Sequence, residues 1–251
     1  MILGDYHTHT VFSHGKGTIE ASVEAARKKG LKEVAITDHG LRHIAFGMKT
    51  RDIPKMRKII DGLNGEYSDI KVLFGVEANI YCKEGLIDLK EHHMSYFDVV
   101  LAGYHKGVWP KNPAQFFTYF SGAYRFKLFK PTQSDVNFYT KAYIKAIKSG
   151  KIDVLTHITY GVPVDVMEVG RAAMDYGVLI ELNGKRITMT DEQVLALDSL
   201  GVNFIVNSDA HSAGRVGDFK VPLSVVERLG LCKERIVNWD KLPEFKGFKR
   251  D

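Results

Sequence analysis

Residues 97–105 read FDVVLAGYH, a short apolar, β-branched run that ends on a histidine. Its length is far below the ~20 residues that a membrane-spanning helix needs, and its composition is that of a buried strand. Near-continuous apolar strands belong to parallel sheets covered by helices on their outer face. The same construction recurs along the chain as ILGDYHTH (2–9), EVAITDH (33–39), KVLFGVE (71–77), IDVLTH (152–157), GVLIELN (177–183) and NFIVNSDAH (203–211). Between most of these runs lie stretches with helical spacing: 18–30, 53–65, 137–150, 164–177, 190–201 and 222–230. All six stretches close on glycine, a usual helix stop. Seven alternating units with no G-x-G-x-x-G or P-loop motif fit a closed or nearly closed α/β barrel better than a doubly wound sheet.

The ends of these strands carry the chemistry. The first ends in His7 and His9, the second in His39, the third in Glu77, the fourth in His105 and the fifth in His157. The seventh runs into Asp209 and His211, and His14 follows the first strand in its loop. In βα barrels the active site is built at the C-terminal ends of the strands. A lone histidine in a strand is usually an ordinary core or surface residue. Here seven of ten histidines converge on one face, which points to a metal site. The remaining three, His43, His92 and His93, read as surface or helix residues, His43 having some prospect of lining the pocket because it follows DHG.

Composition sets the outer limits. The chain has 251 residues, 45% hydrophobic and 26% charged, as expected for one soluble globular domain spanning 1–251. A net charge of +5 suits an anionic substrate and is too small to argue for nucleic-acid binding by itself. The two cysteines, Cys82 and Cys232, form no C-x-x-C pair and suggest a reducing compartment. With no secretory leader or membrane span legible, a cytoplasmic protein is expected.

The motifs DYHTH with His14, TDHG (37–40), GVE (75–77), AGYH (102–105), TH (156–157) and NSDAH (207–211) resemble those of the PHP family, named for polymerase and histidinol phosphatase domains. GVEANIYCKEGLID and the late GDF look most like its stand-alone phosphatase branch. The resemblance runs from residue 5 to 211. It implies a distorted (β/α)7 TIM-like barrel with three divalent ions, zinc, manganese or iron. By carry-over, His7, His9, Glu77 and Asp209 would hold the first ion. Glu77 would bridge to a second, completed by His105 and His157, while His14, His39 and His211 would hold the third. Asp5 and Asp38 could orient imidazoles, or be buried carboxylates with structural partners. The chain departs from the family at Ile158, where many members have proline after the histidine, which leaves the shape of the next loop open.

Three divalent ions against Glu77 and Asp209 leave a cluster of about +4, attractive to a phosphate dianion. The expected nucleophile is a metal-bridging hydroxide, with no side-chain nucleophile. The leading expectation is a phosphoesterase acting on phosphomonoesters of small molecules or nucleotides. A nuclease using the same metals is the alternative. A dinuclear amidohydrolase has no place for Glu77, His14 and His39 together, and a metal-binding accessory domain would be expected to have lost ligands. Arg186, in ELNGKR, is the first candidate for gripping a substrate phosphate, ahead of Lys185 and Arg215.

A long basic and aromatic insertion at about 106–134 follows the fourth strand, and no acidic residue occurs from Val99 to Ser134. Lys106, Lys111, Arg125, Lys127 and Lys130 alternate there with Trp109, Phe116, Phe117, Tyr119, Phe120, Tyr124, Phe126 and Phe129. This segment reads as a lid that stacks an aromatic group of the substrate, or as a satellite core or subunit contact.

Overall fold

The computed structural model describes residues 1–112, 115–116 and 122–247. Seven parallel strands lie in sequence order: β1 (Gly4–Asp5), β2 (Glu33–Ile36), β3 (Lys71–Asn79), β4 (Val99–Gly103), β5 (Val154–Leu155), β6 (Leu179–Asn183) and β7 (Phe204–Asn207). Beyond β7 the sheet meets its own start. Thr8 and Ala210 form a parallel bridge, with His9 N–H donating to the Ala210 carbonyl at 2.7 Å and Ala210 N–H to that of His7 at 3.1 Å. The sheet is thus a nearly closed barrel, the distorted (β/α)7 form expected from the resemblance.

Helices α1 (Ile19–Lys28), α2 (Ile53–Glu66), α3 (Glu91–Met94), α4 (Gly122–Leu128), α5 (Gln133–Lys148), α6 (Val166–Asp175), α7 (Asp191–Leu200) and α8 (Lys220–Leu229) connect the strands. Their starts obey local capping chemistry. Thr18, Thr132 and Thr190 each accept a backbone N–H of the first turn, and Asp135 and Gln193 return the bond in capping boxes. Buried Ile19, Val23 and Ala26 form the sheet-facing stripe of α1. The short α3 and α4 have no counterpart in the six expected helical stretches. His92 and His93 lie in α3, as the sequence suggests.

Strand alternation divides the core into two. Val34, Ile36, Val72, Phe74, Val76, Val100, Ala102, Ile180, Leu182, Phe204 and Val206 face outward to the helices in the larger cluster. Ala35, Leu73, Val99, Leu101, Val154 and Ile205 face inward and join Tyr6 in a compact interior cluster. Phe245 from the C-terminal segment packs edge-on against Tyr6, 5.0 Å between centroids, and Val237 closes the same end. Four residues beyond Ala35, Leu73, Leu101 and Ile205 the inward positions become His39, Glu77, His105 and Asp209. Among the described residues no helix is long and apolar enough to cross a membrane.

Of the basic and aromatic insertion, Phe117, Tyr119, Phe120 and the Lys127 side chain lie outside the described residues. The described part divides. Phe126 packs on Tyr139 of α5 at 6.0 Å, whereas Tyr124 and Lys106 stand on the wall of the cleft above the barrel. Phe129 is exposed.

Candidate metal centre

Glu77 stands at the middle of the barrel mouth with no exposed surface. Its Oε1 has three imidazole nitrogens around it: His157 Nε2 at 2.9 Å, His105 Nε2 at 3.0 Å and His7 Nε2 at 3.2 Å. Its Oε2 lies 2.7 Å from His39 Nδ1 and 3.6 Å from His9 Nε2. Asp209 Oδ1 forms a second focus, 3.4 Å from His9 Nε2, 3.4 Å from His211 Nδ1 and 3.7 Å from His7 Nε2. His14 stacks on His39 at 4.8 Å and meets His211 edge-on at 4.2 Å. All nine side chains singled out in the sequence therefore gather at one end of the barrel. Compact triads within them are His7, His9 and Asp209; His39, Glu77 and His105; and His9, His39 and His211.

Backbone geometry helps aim these groups. His157 has φ +27° and Asp209 φ +51°, both in the left-handed region that non-glycine residues rarely occupy. Gly103 sits beneath His157, where an added Cβ would lie 2.5 Å from Thr156 Oγ1 and 3.3 Å from the His157 ring. After His157 the chain turns tightly, Tyr160 N–H donating to the His157 carbonyl at 2.7 Å, with Ile158 buried. That turn, shaped without the proline, delivers Tyr160 to the cleft wall.

The carboxylate that orients an imidazole is Glu181, which sequence reasoning missed. His7 Nδ1–H donates to Glu181 Oε1 at 2.7 Å, which turns Nε2 toward Glu77 and His9. Asn207 donates to the same carboxylate at 3.1 Å, Asn183 at 2.9 Å and the His157 backbone N–H at 3.2 Å. Asn183 also reaches Asp209 Oδ2 at 3.2 Å. Asp5 and Asp38 do not orient imidazoles. Asp5 accepts from Ser208 Oγ and from the backbone of Ser208 and Gly217, tying β1 to the loop after β7. Asp38 accepts from Thr10 and Ser13, which shapes the loop carrying His14. Both are the structural carboxylates of the alternative reading, and burial raises the pKa of each.

His43, read mainly as a surface residue, lines the cleft and stacks on His39 at 5.7 Å. Its Nδ1 accepts the backbone N–H groups of Ala45 at 3.3 Å and Phe46 at 3.1 Å. Arg215 is turned away, paired with Asp218 at 2.6 Å. Lys185 comes nearest the cluster, its Nζ 3.3 Å from Asp209 Oδ1 and 3.2 Å from His211 Nε2. Arg186 lies further out, its guanidinium 4.9 Å from the centroid of the Tyr160 ring.

The protonation states suit cation binding. Burial alone would raise the Glu77 carboxyl, but His105, His7 and His39 outweigh it and hold Glu77 well below the ordinary carboxylate range. Burial pushes His39 down to about 3 and, with help from His211, His14 to about 4. These two imidazoles are neutral at pH 7, as metal ligands must be. Against their burial, Glu181, Glu77 and Asp209 hold His7 and His157 above the ordinary histidine range, charge that a bound cation would replace. Several buried atoms of these side chains also lack hydrogen-bond partners, namely His9 Nδ1, His14 Nδ1, His39 Nδ1, both His105 ring nitrogens and Glu77 Oε2. Ring nitrogens and carboxylate oxygens thus crowd together, only some of them hydrogen-bonded to one another, as His157 Nε2 is to Glu77 Oε1 at 2.9 Å. Such a cluster is costly alone and satisfied by cations, a role that the Lys185 ammonium partly fills. The residues fit divalent ions.

The cluster floors a cleft of about 540 Å³, walled by Ile44 and Phe46 on one side and by Lys106, Tyr124, Tyr160 and Arg186 elsewhere. The chain is similar to known proteins over most of its length. A probable phosphatase of Shewanella sp. (strain MR-4) is 32% identical over 249 residues, covering 93% of this chain and 86% of that protein. A probable phosphatase of Shewanella sediminis (strain HAW-EB3) is 31% identical, covering 96% and 91%. Among solved structures, histidinol phosphate phosphatase from Lactococcus lactis, complexed with zinc, L-histidinol and phosphate, superposes with a TM-score of 0.64 at 17% identity, covering 100% of this chain and 99% of that one. The histidinol phosphatase structure from Listeria monocytogenes gives 0.58 at 17% identity, covering 85% and 97%. The PHP domain model matches residues 5–214, and the chain belongs to the PHP domain family.

Proposed function

We propose that this protein is a metal-dependent phosphatase that hydrolyses phosphomonoesters at a site for three divalent ions. The observation that carries the reading is Glu77, whose two oxygens face five histidine nitrogens within 3.6 Å at the floor of an open cleft. His7, His9, Glu77 and Asp209 would hold one ion, Glu77 with His105 and His157 a second, and His14, His39 and His211 a third. Zinc, manganese and iron all suit this mixed nitrogen and oxygen donor set. Bound divalent ions supply an activated water and Lewis-acid neutralisation of the charge that grows on phosphorus oxygens.

The protein's own groups do the rest. Glu181 orients His7, so that its Nε2 points into the cluster. Asn183 accepts the backbone N–H of Lys185 at 2.9 Å and sets the loop that carries Lys185 and Arg186. Lys185 presents its ammonium beside Asp209 and His211, where it meets the oxygens of the transferring phosphate, and Arg186 binds substrate from the rim. The alternative, a nuclease with the same metals, differs in substrate alone. The deciding experiment assays phosphomonoesters, phosphodiesters and short oligonucleotides with protein loaded separately with zinc, manganese and iron. Release of inorganic phosphate from monoesters, with diesters at least tenfold slower, is expected. Preferential cleavage of oligonucleotides overturns the monoester reading.

A further inference from the structure

The cleft holds more positive charge than one phosphate requires. Lys106 Nζ lies 5.4 Å from the centroid of the Tyr160 ring and 5.6 Å from that of Tyr124. The Arg186 guanidinium lies 4.9 Å from the same Tyr160 ring. Tyr160 in turn touches His157 edge-on at 5.2 Å. Outward from the cluster the order is therefore His157, Tyr160, then the two cations. Lys185 already stands against Asp209, so the transferring phosphate has its own nearby cation.

Lys106 and Arg186 share one ring and repel each other across it. Among the described residues neither has a carboxylate partner. Among the described residues lining the cleft, Glu77 and Asp209 are the only carboxylates, and both are enclosed by imidazoles. Among the described lining residues no further carboxylate is left to receive an ammonium. Ile44 and Phe46 give the lining apolar surface, and beyond Lys185 its cationic groups are Lys106 and Arg186, which share Tyr160.

We infer that the natural substrate carries a second anionic group, a carboxylate or another phosphate, on its leaving-group side, and that Lys106 and Arg186 receive it. This rests on the phosphomonoesterase reading. It separates the chain from an enzyme for histidinol phosphate, whose amine would face two cations.

The test uses the full-length, metal-loaded protein and three matched esters: phosphoglycolate, ethylene glycol monophosphate and phosphoethanolamine. They place carboxylate, hydroxyl and ammonium at the same position, and their four-carbon homologues extend the reach. The expected order of kcat/KM is carboxylate, hydroxyl, ammonium, spanning about tenfold or more in at least one series. In the combined Lys106→Met, Arg186→Met variant the three values should converge, whereas Lys106→Arg alone should keep the order. Equal values or the reverse order in both series, with the esters still hydrolysed, overturn this inference and leave the phosphatase reading standing. If no ester is hydrolysed with any metal, the phosphatase reading fails and takes the inference with it.

Discussion

The two halves of the barrel interior are built from the same strands and are opposite in kind. Toward the N-terminal end, Ala35, Leu73, Val99, Leu101, Val154 and Ile205 pack with Tyr6 under the Phe245 plug in a buried apolar core. Toward the C-terminal end, the same inward positions carry His39, Glu77, His105 and Asp209, and His39, Glu77 and His105 each have a buried polar atom without a hydrogen-bond partner. One half satisfies itself, and the other, on the proposed reading, is completed by cations. Stability and chemistry are thus segregated along the strand direction, a few residues apart.

Substitutions can test that division from both sides. Glu77→Gln should lower kcat by more than about 10³-fold, exceeding the 10–100-fold typical of outer-shell partners, because Glu77 is proposed to touch two ions. Melting of the metal-free variant should stay close to that of the metal-free parent. A variant that keeps most of its activity breaks the comparison at its upper half. Leu101→Ala should show the opposite signature, a loss of about 2–5 kcal/mol in denaturant unfolding. The folded fraction should retain its turnover and metal content. If activity per folded molecule falls with stability, the halves are not separable.

The sharper test lies at the boundary. Glu181→Gln removes the charge that fixes His7 and keeps the side-chain shape, so metal affinity or kcat should fall by roughly 10–100-fold. The Arg186→Ala variant should not share this loss of metal affinity. Equal metal binding in Glu181→Gln and the parent would show that His7 is oriented by its packing alone.

Most of this division is legible in the sequence because period-two alternation persists to the strand ends. Once Leu73 is placed inside, Glu77 follows on the same face, and Val99 places His105 in the same way. Glu181 and Asn183 escaped because GVLIELN ends without a histidine, so the sixth strand looked like plain core. The available signal was an acidic residue within a strand expected to be buried, which demands a partner. Asp38 was drawn toward the imidazoles by its adjacency to His39, yet neighbouring residues in a strand point to opposite faces. Asp5 misled for a different reason. Alternation lapses near it, Tyr6 turning into the apolar cluster and His7 into the polar one. His43 sits outside any strand, and no periodicity could bring it to the cleft.

The most direct test of the central claim is the metal content of the purified, saturated protein, measured by elemental analysis after free ions are removed. The seven histidines arranged around Glu77 and Asp209, if all nine side chains are ligands as proposed, should retain close to three divalent ions per chain. Saturation at one ion per chain would contradict the trinuclear centre and, with it, the division of the barrel into a self-sufficient half and a metal-completed one.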